Sequence, residues 1–103
     1  MTDMTNDELR ELANDIESLI NLCEPYLSKE TIEAVHSYSM YGEFEMATEG
    51  LLIDIMSLEK LPSNFNKNVC IILAKKCGLD KETVFCVDFW VKLLEFVQTK
   101  SNA

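Results

Sequence analysis

From Thr5 to Cys23 an apolar residue returns every three or four positions: Leu9, Leu12, Ala13, Ile16, Leu19, Ile20 and Cys23. On a helix of about 3.6 residues per turn that rhythm puts all of them on one side, and a strand cannot use it. The run opens with T-N-D-E, where the Thr5 hydroxyl can take the Glu8 amide while Glu8 reaches back, a reciprocal cap. It closes at Pro25, because the residue before a proline is disfavoured in the helical region.

The same logic divides the rest of the chain. Ser28 is expected to cap a second helix, with Glu30 in its first turn, that runs to about Tyr41 and stops at Gly42. A third follows at once, to about Leu58, striped by Phe44, Ala47, Leu51, Ile55 and Leu58. Leu52, Ile53 and Met56 lie off that stripe, so this helix is expected to be central, or to pair two chains through those three residues. After a turn over residues 61–64, a fourth helix should reach Cys77 with Gly78 as its stop. Asp80 should cap a fifth, with Val84, Val87, Val91 and Leu94 at heptad spacing.

Three glycines and two prolines in 103 residues are too little punctuation for a turn-rich all-β fold. The expectation is all-α: a single compact bundle of about five helices with short connections, one domain over residues 1–103, frayed at 1–4 and 100–103.

Charge speaks to partners. The chain carries −9 overall, yet residues 30–59 hold seven acids and no base, while residues 60–103 carry a surplus of three bases. A chain with one arginine and this balance is a poor ligand for phosphates, which excludes nucleic acid as a partner. The longest apolar run, VCIILA at 69–74, is far too short to span a bilayer, so no membrane partner is expected. The acidic, polar start is no cationic leader, so a cytoplasmic location is expected. Cys23, Cys70, Cys77 and Cys86 contain no C-x-x-C pair and sit at or near apolar faces, so they read as buried free thiols in a reducing compartment.

Chemistry is sparse. His36 is the only histidine, so neither a metal set nor a nucleophile with its base can be assembled. It is expected at the boundary of the second helix, packed, with its ring nitrogens met locally. The glycines at 42, 50 and 78 are isolated and form no phosphate loop. Carboxylates spaced i to i+4, as in Asp7/Glu11/Asp15 and Glu45/Glu49, are expected on solvated helix faces, where they make poor catalysts. No catalytic, cofactor-binding or metal-binding residue is assigned.

What remains is an acidic face. On a wheel, Glu30, Glu33, Ser37 and Tyr41 fall within about 80° of one another. Glu45 and Glu49 are expected to project together from the third helix, with Glu43 at the junction. Like charges at this spacing cost a few tenths of a kcal/mol each, and no lysine is interleaved to relieve them. Tyr38 and Tyr41 are anchor-type side chains for an interface, and Ile53 and Met56 are candidate apolar anchors. Together these ten residues predict a docking surface for a positively charged protein.

The run H-S-Y-S-M-Y-G-E-F-E-M-A-T-E-G-L-L, residues 36–52, resembles the central motif of MafI-type immunity proteins, which neutralise polymorphic toxins including those of contact-dependent growth inhibition. The matching core is Gly42-Glu43-Phe44-Glu45-Met46-Ala47 followed by Glu49-Gly50-Leu51-Leu52, with Leu61-Pro62, Gly78-Leu79-Asp80 and Trp90 similar in layout. Gly50 departs from the leucine or alanine usual at that point. The resemblance implies an all-helical inhibitor without activity of its own, acting as a monomer in a 1:1 complex. Its partner would be a cognate toxin C-terminal domain, a basic nuclease with RNase favoured, whose active-site cleft the acidic face covers. From the residues alone, an acidic helical adaptor or antitoxin-like regulator of another protein stands as the alternative.

Overall fold

Glu8 donates its backbone N–H to the Thr5 hydroxyl at 3.1 Å, and Thr5 returns its own to Glu8 Oε1 at 2.9 Å, so the reciprocal cap is formed as the spacing predicts. The computed structural model describes residues 4–99. Helix α1 spans Asn6–Cys23 and buries Leu12, Ile16, Leu19, Ile20 and Cys23. A single 3-10 turn at Glu24–Tyr26 accommodates Pro25 in its first positions. Ser28 then caps α2, Lys29–Met40, by accepting the Thr31 N–H at 3.1 Å.

Both helix-ending glycines adopt the left-handed conformation. At Gly42 φ is +75°, its N–H reaches Ser39 O, and Glu43 N–H reaches Tyr38 O at 2.8 Å. At Gly78 φ is +74°, with the same pair of bonds to Lys75 O and Ala74 O. Each is the two-bond arrangement that satisfies a helix's last carbonyls and needs a residue without Cβ.

The reversal at Gly42 leads into α3, Phe44–Met56, which packs on α1, α2, α4 and α5 and is the centre of the fold. It buries Ala47, Leu51, Leu52 and Ile55 completely. Leu52 is thereby core, and not a contact between chains. Helix α4, Asn68–Lys76, starts later than expected: residues 57–67 form turns in which Leu61, Pro62 and Phe65 are buried. The core is a contiguous cluster drawn from all five helices and this turn segment. Among the described residues there is no strand, and no helix is long and apolar enough to cross a membrane. Met4 precedes α1 and is half-buried against the core; residues 1–3 and 100–103, also expected to fray, lie outside the described residues.

The largest departure is at the C-terminal end. Asp80 does not cap a helix; residues 79–88 run as turns, and α5 spans only Phe89–Thr99. Its buried residues are Phe89, Leu93 and Phe96, whereas the expected stripe of Val84, Val87, Val91 and Leu94 is exposed. The two sets are offset by two residues, which on a helix is about 200°, so the opposite face is the one that packs. Two causes are visible. Thr83, Val84 and Val87 are β-branched and weak helix formers. The amides of 84–86, which a helix would have bonded internally, go instead to a carboxylate on α3.

Candidate protein-docking surface

Thr31 Oγ1 donates to Asp54 Oδ2 at 2.6 Å, tying the start of α2 to the end of α3 and fixing the pair as an antiparallel hairpin. This arrangement separates the predicted acidic face into two ends. Glu30 and Glu33 are exposed near the start of α2, with Lys29 at 4.0 Å from Glu33. Tyr41, Glu43 and Glu45 are exposed at the other end, around the Gly42 reversal. Ten residues lie between Glu30 and Tyr41, a separation of about 16 Å along the helix. Ser37 is exposed between the two ends. The acids therefore form no single cluster, and Tyr38, Tyr41, Glu43 and Glu45 are the predicted residues that the fold does bring together.

Elsewhere the acid excess is answered within the fold. Lys76 pairs with Glu11 and Asp15 across α4 and α1, Arg10 pairs with Asp7, and Lys92 with Asp88. Thus the Asp7/Glu11/Asp15 row is not free of counter-charge. His36 is not packed: it stands on the exposed side of α2, with Nε2 at 3.1 Å from Glu17 of α1.

Glu49 overturns its expectation outright. It is 0% exposed, not displayed beside Glu45, and its carboxylate accepts three consecutive backbone N–H groups. Val84 donates to Oε1 at 2.7 Å, and Phe85 and Cys86 donate to Oε2 at 3.0 and 2.8 Å. A buried carboxylate is costly unless it is hydrogen-bonded, and bonds to a carboxylate are the stronger kind. The 79–88 segment wraps over it to supply them. Thr83 Oγ1 closes the turn by donating to Cys86 O at 2.7 Å.

The wrapped segment puts apolar side chains where the sequence placed acids. Phe85 lies over Gly50, with its ring 6.2 Å from that of half-buried Tyr38. Val84, Phe85 and Val87 are 56%, 49% and 100% exposed, and Tyr41 is 76% exposed. Along the same side of α3, Ile53 and Met56 are half-buried and line an open groove with Cys86, Lys92 and Phe96. The groove is a separate feature, two turns down the helix from Glu45. Sequence reasoning missed Val84, Phe85 and Val87 as surface residues. The available signal was the run T-V-F-C, a β-branched and aromatic stretch poorly suited to a helix's first turns.

The thiols offer little reactivity. Burial pushes Cys23 up to about 11 and Cys70 up to about 12. Cys77 is also raised by burial; its thiol donates to Thr48 Oγ1 at 3.3 Å. Cys86 is half-buried, and its bond to Asp88 Oδ1 at 2.9 Å holds it above the usual thiol range. All four therefore stay protonated near neutral pH. Among the described residues, no group of three or more His, Cys, Asp or Glu side chains could hold a metal ion.

No protein-family model matches this chain, and no curated protein or solved structure matches it either.

Proposed function

We propose that the chain is an immunity protein that binds a cationic toxin domain, a nuclease with RNase favoured, and neutralises it by covering its active-site cleft. One observation carries this reading: Tyr41 is 76% exposed at the reversal between α2 and α3, flanked by exposed Glu43 and Glu45. A projecting aromatic beside uncompensated carboxylates suits a cleft lined with lysine and arginine, where a ring can also receive a guanidinium. The G-E-F-E-M-A run that resembles the MafI-type motif occupies this position. Glu30 and Glu33 stand about a helix length away, so their part is long-range attraction, which accelerates encounter more than it holds the complex. The inhibitor acts in the cytoplasm by occupancy alone and performs no chemistry.

An immunity gene is expected to follow directly the gene of its toxin, so the test protein is the C-terminal domain encoded immediately upstream. Co-expression with the chain should rescue growth. Glu43→Lys with Glu45→Lys should slow association and flatten its salt dependence. A double variant that binds as fast as wild type at low salt sinks the mechanism. Rescue without any direct complex would instead favour a regulator of another protein.

A further inference from the structure

We propose that Thr83–Val87 is a preorganised recognition loop whose exposed Val84, Phe85 and Val87 anchor an apolar recess on a basic partner protein, and that buried Glu49 is the positioning residue that holds the loop ready. This deepens the function proposed above and rests on it for the identity of the partner.

The loop is unusual in what it exposes and in how firmly it is tied. Connecting segments ordinarily show polar side chains to water, yet here three large apolar residues stand outward, Val87 completely. Phe85 rests one side on Tyr38 and Gly50, while the buried side of this region is supplied by Leu79 and Phe89. Meanwhile the loop backbone is fixed by three amides on Glu49 and by the Thr83–Cys86 turn bond. A segment held this way loses little conformational freedom on docking, and preorganisation of that kind converts directly to affinity.

Glu49 makes the same point from the other side. Packing alone would be served by an aliphatic residue at a fully buried position of α3. A carboxylate there does what an aliphatic side chain cannot, which is to dictate the path of a neighbouring backbone. The path it dictates carries Phe85 onto Gly50 and onto Tyr38, the latter one helical turn before Gly42. The result is an apolar centre, Phe85 with Val84 and Val87, with exposed Glu82 and the Lys92-paired Asp88 flanking the loop in sequence. Apolar centre and charged rim is the usual anatomy of a protein interface, and exposed Glu82 beside the loop together with the chain's net charge of −9 favours a basic protein.

The division of labour is measurable by stopped-flow and surface-immobilised binding to the upstream-encoded toxin domain. Phe85→Ser and Val87→Ser, both at exposed positions, should speed dissociation about tenfold or more while leaving association unchanged. Glu43→Lys with Glu45→Lys should do the reverse. Glu49→Gln should speed dissociation too, and the amides of Val84, Phe85 and Cys86 should lose hydrogen-exchange protection while those of α1 keep theirs. If both serine variants dissociate as wild type does, the loop proposal falls and the immunity reading stands. If wild type does not bind the domain at all, both fall. A wild-type mass that doubles with concentration, and stays single in Val87→Ser, assigns the loop to a second copy of the chain and overturns the choice of partner.

Discussion

Lys76, in the last turn of α4, reaches across to α1 and donates to Glu11 Oε1 at 2.7 Å. The same ammonium sits 3.2 Å from Asp15 Oδ2, so one cation joins two acids a helical turn apart. The hydrogen bonds to Glu11 and Asp15 raise the lysine above its ordinary value of 10.5. A raised folded value means that the contribution is fully present below the unfolded lysine value and is lost as pH climbs through the folded one. The side chain is 36% exposed, so solvent screening keeps the effect under about 1 kcal/mol. Lys76→Met is expected to lower the melting temperature by a few degrees at pH 7. The gap should close in the alkaline range above 10.5. A gap independent of pH would mean that the loss is one of packing.

Glu49 should behave quite differently, because its three donors have nowhere else to go. Glu49→Ala leaves the amides of 84–86 facing an apolar interior, and about 3–5 kcal/mol of stability should disappear. That is a large share of the roughly 5–15 kcal/mol typical of a whole domain. Glu49→Gln retains one acceptor oxygen and should lose about half as much. Urea denaturation followed by far-ultraviolet circular dichroism measures both. Equal stabilities for wild type and the alanine variant would mean that the loop refolds around a different acceptor.

The parts of the fold set by local chemistry were legible in the sequence. The Thr5–Glu8 box, the Ser28 cap and the stops at Gly42 and Gly78 each depend on residues within a few positions, and all four form as their spacing predicts. What could not be read was any feature that depends on contact between distant segments. Val84, Val87, Val91 and Leu94 have a genuine heptad spacing, but the face that packs was decided by Phe89, Leu93 and Phe96 meeting the core. The wheel put Glu49 beside Glu45, and nothing within a turn of either shows that one is capped by a loop 35 residues away. The candidate surface was legible to the same extent. Tyr41, Glu43 and Glu45 come together because a short reversal joins them, whereas the apolar centre needs a tertiary contact.

The three glycines should separate cleanly on substitution. Gly42 and Gly78 have φ of +75° and +74° with nothing within 4 Å of an added Cβ, so any loss is conformational alone. Alanine at either site should cost about 1 kcal/mol. Gly50 is an ordinary helical residue whose added Cβ would meet only Phe85 Cε2 at 4.0 Å, a comfortable contact. Gly50→Ala should therefore stabilise the protein by about 0.5–1 kcal/mol. Thermal melts of the three variants test the pattern, and a destabilised Gly50→Ala would show that Phe85 sits tighter on α3 than its distance indicates.

Cysteine reactivity gives a last, independent check on the loop. Cys23, Cys70 and Cys77 are buried with raised thiol values, so the native protein should resist alkylation by iodoacetamide at those three positions. Cys86 is half-buried and should be the one that reacts, slowly, because its bond to Asp88 keeps the thiolate scarce. Asp88→Asn removes the charge that opposes ionisation, so labelling of Cys86 should accelerate and its pH profile should move to lower pH. Asp88 is itself held low, first by accepting the Cys86 thiol, so mild acidification should leave the carboxylate in place and labelling should slow only with the thiolate fraction, about tenfold per pH unit. Mass spectrometry of the intact chain against time resolves one modification from several. Equal rates in wild type and Asp88→Asn would show that access to the half-buried sulfur, and not its ionisation, limits the reaction.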